Sequence, residues 1–145
     1  MSGHHENTTM ELRELLRAKS LRVTRVRLGV LEVLHDAQKP MTHEEVMSIL
    51  KVEYYDKASV WRVLADLESK GILQRMDMGD RIWRYELFDD CRKIERSHAH
   101  FMCTDCHDVS CLPNVALTAT KGELPAQLRN QTSSIIVSGI CDACA

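Results

Sequence analysis

Four cysteines in the second half of the chain form two pairs with the spacing of metal ligands. Cys103 and Cys106 stand in CTDC, Cys141 and Cys144 stand in CDAC, and 34 residues separate the pairs. Each pair places two thiolates on one tight turn, which suits the tetrahedral coordination of zinc. Two redox or disulfide units, or unrelated thiols, are the alternatives. The spacing favours a structural Zn²⁺ site that joins the end of the chain to its middle.

A chain of 145 residues suits one or two small domains. Aromatic residues make up only 5%, so the core must consist mainly of aliphatic side chains and Met. Because such a core provides limited stability, the free energy of metal binding would add usefully to the stability of the fold. The sequence has neither an apolar run of membrane-spanning length nor the pattern of a secretory signal. We expect a cytoplasmic protein with no membrane partner, in which six cysteines indicate metal binding rather than disulfides.

The charge is unevenly distributed along the chain. The net charge is −2, yet the stretch from Met10 to Val30 has six Lys or Arg against two Glu, a local balance of +4. After Glu86 there are five basic residues against seven acidic ones. A localised basic patch suggests an anionic partner such as double-stranded DNA, and a solvated helix face is the alternative.

Apolar residues at helical spacing predict four short helices in the first half of the chain. The first covers about residues 10–20. The other three begin at residues that can cap a helix, namely Thr24, Thr42 with Glu45, and Asp56. Strands at 72–76 and 81–87 then form a hairpin. Helices followed by a hairpin are typical of a winged helix-turn-helix domain.

The pattern predicts an α+β fold in two domains. We expect a disordered tail at 1–9, a winged-helix DNA-binding domain at 10–87, a hinge at 88–97 and a small C-terminal α/β domain at 98–145, stapled by the four-cysteine zinc site. Within that domain we expect strands at 100–103, 109–112 and 134–139 and a helix over about 114–130, interrupted by Gly122 and Pro125.

The fourth helix is the candidate DNA-recognition element, because the second helix of a helix-turn-helix enters the major groove with its first residues at the bases. Arg62 can contact guanine or phosphate, and Trp61 can contact a thymine methyl or belong to the core. Because one such domain seldom binds a specific site tightly, we expect a homodimer on a palindromic operator. The predicted DNA contacts are Arg22, Lys57, Ser59, Trp61 and Arg62.

Five segments together resemble the ferric uptake regulator family of metal-dependent repressors: LRVTRVRLGVLEVL, SVWRVLADLESKGIL, WRYEL, HAHFMCTDC and GICDAC. The resemblance covers about residues 12–144. It implies a winged-helix domain followed by a dimerisation domain, with the four paired cysteines as the structural zinc site. It also implies DNA contacts at Arg22, Trp61 and Arg62. The family usually has Tyr where Trp61 stands, so the loss of that hydroxyl can change the preferred DNA site.

A metal sensor also needs a second, less complete site. His98 and His100 share one face of an extended strand, so both imidazoles can bind one ion, and two solvated histidines are the alternative. By resemblance these are the regulatory histidines, and Cys111 occupies a further ligand position. The hinge ligand is Glu86 by the WRYEL motif and Cys91 by counting back from His98. The resemblance also places a ligand at Pro40, which cannot bind metal, and we expect the nearby His43 on a helix surface.

Two imidazoles with up to two thiolates favour Zn²⁺ over Fe²⁺ or Mn²⁺ at this regulatory site. The chain thus resembles the zinc uptake regulators within the family. If Glu86 is a ligand and the extra cysteines are only buried thiols, an iron sensor is indicated instead. A peroxide sensor and a non-sensing structural zinc protein are further alternatives. In the hypothesis we favour, metal binding fixes the hinge in the geometry that binds DNA.

An enzyme is not expected, because a four-thiolate site leaves no coordination position for a substrate. The CTDC run also lacks the upstream His-x-Glu of zinc deaminases. The sequence therefore predicts a metal-responsive, DNA-binding transcriptional repressor that senses zinc and controls metal-uptake genes.

Overall fold

The computed structural model describes residues 3–51, 55–88, 99–129 and 135–145. The chain divides into two compact units, residues 1–92 and residues 93–145. The first unit contains α1 (Gly3–Ala18), α2 (Arg25–Ala37), β1 (Met41–Thr42), α3 (His43–Ile49), α4 (Lys57–Ser69), β2 (Leu73–Asp77) and β3 (Trp83–Leu87). The second contains β4 (Ala99–Cys103), β5 (Val109–Leu112), α5 (Ala126–Arg129) and β6 (Ile135–Gly139).

The predicted starts of three helices are confirmed by their caps. Thr24 Oγ1 accepts a hydrogen bond from the Arg27 amide at 3.2 Å, at the start of α2. Thr42 and Asp56 do the same for the third helical residues of α3 and α4. Capping satisfies amides that have no partner inside the helix, so local sequence is enough to fix these boundaries.

The first helix is longer than the sequence predicts. α1 begins at Gly3, so the expectation of a disordered tail is wrong for residues 3–9. Thr9 contributes to this longer helix, because its hydroxyl oxygen lies 3.0 Å from the His5 carbonyl and 3.1 Å from the Glu32 carboxylate on α2. A polar contact between helices produces no apolar periodicity in the sequence. Periodicity therefore does not predict that α1 extends to Gly3.

The hairpin forms the wing of the first unit. β3 lies between β1 and β2, and both pairings are antiparallel. At the turn, the Asp77 carboxylate accepts hydrogen bonds from the Gly79 and Arg81 amides, at 2.8 and 3.1 Å. Gly79 has a φ of +98°, which favours glycine. Burial does not alternate along β3, because Arg84 is buried while Trp83 is 44% exposed.

Arg84 is buried as half of an ion pair. Its guanidinium donates to the Asp80 carboxylate, with contacts of 2.8 and 2.9 Å. The hydrogen bond from Arg84 holds the pKa of Asp80 below its usual value. The turn end of the wing is thus stabilised by polar contacts, whereas its strands contribute Leu73, Tyr85 and Leu87 to the apolar core.

The second unit is a three-stranded sheet with the order β5, β4, β6. β4 pairs with β5 antiparallel and with β6 parallel. The three predicted strands are confirmed to within one residue at their ends. The predicted helix over 114–130 is wrong, because among residues 114–129 only Ala126–Arg129 is helical. Gly122 adopts a φ of +70°, and Pro125 has no amide hydrogen, so a helix does not continue through either residue.

Candidate metal centres and DNA-binding surface

The four paired cysteines meet in the second unit, and we call them the tetracysteine cluster. Their sulfur atoms all lie within 4.8 Å of one another. Cys106 Sγ and Cys141 Sγ are 3.8 Å apart. Two sulfurs bound tetrahedrally at about 2.3 Å from zinc would be separated by about 3.8 Å. The donor set and its spacing therefore fit a structural zinc ion, as the sequence predicts.

Backbone turns hold the cluster in place. The His107 amide donates to the Cys103 carbonyl at 3.1 Å, and the Cys144 amide donates to the Cys141 carbonyl at 3.0 Å. The parallel pairing of β4 with β6 matches Cys103 with Gly139, which brings the C-terminal turn beside the first one. The sheet register therefore unites two pairs that are far apart in sequence.

The thiols of the cluster differ in how readily they ionise. The amides of Cys106 and Cys141 donate hydrogen bonds to the buried Cys103 sulfur and lower its pKa to about 6. The Cys141 amide nitrogen is 3.4 Å from this sulfur. Hydrogen bonding with the neighbouring Cys141 and Cys106 thiols instead raises the pKa of Cys144. A divalent cation would offset the repulsion among additional thiolates, which agrees with a metal site.

A second pair of potential ligands lies on the same sheet. His100 on β4 is directly opposite Cys111 on β5, so their side chains share one face. A ring nitrogen of His100 and the sulfur of Cys111 lie within 4.8 Å of each other. His100 is only 3% exposed. The strand register thus places one nitrogen and one sulfur ligand together.

The other predicted regulatory ligands do not belong to the described part of the second unit. Glu86 belongs to β3 of the first unit, is fully buried, and accepts a hydrogen bond from the Gln74 side-chain amide at 3.0 Å. Cys91 and His98 lie outside the described residues. Their roles therefore stay predictions from the sequence.

The predicted DNA contacts lie on the surface of the first unit. Lys57, Trp61 and Arg62 on α4 are exposed, and Ser59 is half-buried. Trp61 is 51% exposed, so its indole is available to a partner and is not a core side chain. Arg22 is also exposed, and its carbonyl accepts a hydrogen bond from the Arg27 guanidinium at 2.7 Å, which fixes the backbone before α2.

The exposure predicted for one residue near this surface is wrong. His43, expected on a helix surface, is only 6% exposed, because its ring packs against Trp61 and bonds to the start of α4. Neither contact follows from periodicity, since His43 is the first residue of α3 and its partners lie on another helix. Among the described helices, none combines the length and apolar composition of a membrane span.

Comparison with known proteins gives a consistent result. The sequence model of the Ferric uptake regulator family matches residues 18–137. The transcriptional regulator FurA of Mycobacterium tuberculosis is 27% identical over 137 residues, which cover 91% of this chain and 88% of that protein.

Two solved structures share the fold. The Vibrio cholerae ferric uptake regulator has a TM-score of 0.63 at 24% identity, covering 89% of this chain and 98% of that one. A zinc uptake regulator complexed with zinc and DNA has a TM-score of 0.59 at 17% identity, covering 96% and 93%.

Proposed function

This chain belongs to the ferric uptake regulator family of metal-responsive transcriptional regulators, and we propose that it is a zinc-sensing repressor of metal-uptake genes. Members of the family bind DNA and metal and act as dimers. The observation that carries the choice of zinc is the pairing of His100 with Cys111 across β4 and β5. An imidazole beside a thiolate is a softer ligand set than Fe²⁺ or Mn²⁺ prefers.

The tetracysteine cluster would hold a permanent zinc ion. Four thiolates close the coordination sphere, and a bound Zn²⁺ would supply charge neutralisation and a link between two chain segments. No position remains for a substrate, and we expect no catalytic activity there. The relatives named above are transcriptional regulators, which agrees with this assignment.

His100 and Cys111 would form the core of the regulatory site, with His98 as a further ligand. A site built from one half-buried thiolate and one or two histidines is less complete than a site of four clustered thiolates. Its metal occupancy can therefore follow the free metal concentration. Metal binding changes the DNA affinity only to the extent that the metal binds the DNA-competent form more tightly.

An iron or manganese sensor is the second candidate, and the burial of Glu86 favours it. The buried Glu86 carboxylate accepts a hydrogen bond from Gln74 and, as a metal ligand, would supply an oxygen donor. An oxygen ligand would shift the preference towards Fe²⁺ or Mn²⁺. Glu86 and Cys91 are therefore the two residues whose roles decide the effector metal.

For DNA binding, we propose that α4 enters the major groove of a palindromic operator, with one winged helix from each protomer on each half-site. Lys57, Ser59, Trp61 and Arg62 would face the DNA from α4, and Arg22 would contact the backbone or minor groove. Exposure of Trp61 and Arg62 supports this orientation. Replacing Arg62 with Ala should weaken operator binding by about 1–3 kcal/mol, whereas Lys70→Ala at the far end of α4 should not.

The deciding experiment is a metal titration. An operator is first selected from a pool of random duplexes with the wild-type protein in the presence of Zn²⁺, Fe²⁺ or Mn²⁺ in turn. Binding of the selected duplex is then followed by fluorescence anisotropy as each metal is added. We expect operator affinity to rise by about 5–150-fold with Zn²⁺ at sub-micromolar free metal. A response to Fe²⁺ alone would establish the second candidate instead.

Ligand variants separate the regulatory site from the structural one. His100→Ala and Cys111→Ser should abolish the metal response and leave one tightly bound zinc per chain. Ser110→Ala is the matched control, because Ser110 is exposed and neighbours Cys111 on the opposite face of β5. Glu86→Gln and Cys91→Ser then show which hinge ligand is used. A normal metal response in both His100→Ala and Cys111→Ser would contradict the proposed site.

A further inference from the structure

His43 makes two contacts that converge on the recognition helix. Its Nε2 atom lies 3.1 Å from the carbonyl oxygen of Lys57, the first residue of α4. A carbonyl only accepts hydrogen bonds, so Nε2 carries the proton of this contact. In an α-helix the same carbonyl accepts from the amide of residue 61. His43 is thus bonded to the backbone turn that carries Trp61.

The second contact is with the Trp61 side chain itself. The ring centroids of His43 and Trp61 are 5.0 Å apart, and the ring planes meet at 69°. This edge-to-face arrangement is a preferred geometry of aromatic pairs. His43 is 6% exposed whereas Trp61 is 51% exposed. The indole therefore has one supported side and one open side.

We infer that His43 is a positioning residue that sets the orientation of Trp61 for DNA, and so determines sequence preference without touching the DNA. A tryptophan offers an apolar face for a thymine methyl and a single N–H donor, and which of these meets a base edge depends on the side-chain rotamer. The buried ring of His43 limits that choice. The inference rests on the proposed function, because it assumes that α4 contacts an operator.

Two substitutions separate the two contacts of His43. His43→Gln keeps a side-chain N–H donor for the Lys57 carbonyl and removes the ring. His43→Phe keeps a ring against Trp61 and removes the donor. If the ring orients Trp61, the Phe variant should retain more sequence discrimination than the Gln variant, although both leave the recognition residues in place. His35→Ala on α2 is the control for loss of a histidine elsewhere in the same unit.

The measurement is the ratio of affinities for the selected operator and for single base-pair changes in it, using the Zn²⁺-loaded full-length protein. Trp61→Ala identifies the base pairs that depend on Trp61. At those pairs, His43→Gln should lower discrimination by about 2–10-fold, the size of one aromatic pair contact, and His35→Ala should not. A purely structural role would weaken binding to every duplex alike and leave the ratios unchanged.

The double variant tests the coupling. In the Trp61→Ala background, His43→Gln should change discrimination by less than about 2-fold, because the residue through which it acts is gone. Equal ratios for wild type and His43→Gln, or additive losses in the double variant, would overturn the inference while the proposed function stands. If the wild-type protein selects no duplex with any metal, the proposed function and the inference both fail.

Discussion

In the described part of the first unit, 17 buried hydrophobic residues form one cluster. The described part of the second unit buries only Ala99, Met102, Cys103 and Val109 among its hydrophobic residues. Full burial of an aliphatic side chain contributes about 1.5–3 kcal/mol, so apolar burial alone can support the first unit far better than the second. The comparison teaches that the second unit needs a source of stability besides apolar burial, and metal binding at the tetracysteine cluster would provide it.

Of the predicted changes, removal of the structural metal should have the largest effect. The loss of structure should be confined to the second unit. We expect a strong chelator, or Cys141→Ser, to abolish hydrogen-exchange protection in β4, β5 and β6 and leave α1 to α4 protected. Zinc binding to such sites provides about 10–16 kcal/mol, which four buried side chains cannot replace. Hydrogen exchange with mass spectrometry measures both units in one sample.

Cys111→Ser is the matched control for that experiment, because it removes a thiol from the same sheet but not from the tetracysteine cluster. In the Cys111→Ser variant, β4, β5 and β6 should keep their hydrogen-exchange protection. Full protection of β4 to β6 after complete metal removal would show that the second unit does not depend on the cluster, and the comparison of the two units would break down.

Truncation of a core side chain should have the reverse effect, destabilising the first unit and leaving the second unit intact. Leu64 on α4 is fully buried, and Leu64→Ala should lower the free energy of unfolding of the first unit by about 2–5 kcal/mol. Urea unfolding followed by helical circular dichroism measures this loss, and zinc stoichiometry should stay unchanged. Lys70→Ala, exposed at the end of the same helix, should cost far less. Loss of zinc from Leu64→Ala would show that the units are not independent.

The buried ion pair of the wing should give a pH-dependent effect, smaller than that of Leu64→Ala because Arg84 has further interactions. The pKa of Asp80 is lowered in the folded protein by the Arg84 hydrogen bond. Its contribution is therefore complete above the usual aspartate pKa of about 3.9 and is lost as the pH falls through the lowered folded value.

Melting temperatures of wild type and Asp80→Asn across the acidic range test this assignment. The wild type should be the more stable protein near neutral pH, and the difference should shrink as the solution is acidified. A difference that stays constant down to strongly acidic pH would mean that the ionised carboxylate is not what Arg84 recognises.

The smallest effect is expected at a helix cap. Thr24→Ala removes the oxygen that accepts the Arg27 amide, and should lower the stability of the first unit by about 1 kcal/mol. Thr24→Ser keeps this oxygen and should be close to wild type. Chemical denaturation resolves the two variants, and equal losses in both would assign the effect to the methyl group instead.

Most of the first unit could be predicted because its signals are local. Thr24, Thr42 and Asp56 each accept a hydrogen bond from an amide three residues along the chain. A short segment of sequence is therefore enough to predict where each helix begins. The helix predicted over 114–130 is absent for a local reason too, since Gly122 adopts a positive φ and Pro125 has no amide hydrogen to donate. Thr9 and His43 were misplaced because their partners lie on other helices.

By itself, the sequence determined the ligand types, the order of the elements and the spacing within each cysteine pair. Whether the two pairs meet, and whether His100 has Cys111 opposite it, depended on the register of β4 with its two neighbours. A shift of one residue in that register would turn the side chains to the opposite face. The sequence therefore named these thiols, and only the tertiary structure decided the distances within the tetracysteine cluster and the pairing of Cys111 with His100, because register is a property of paired strands and not of either strand alone.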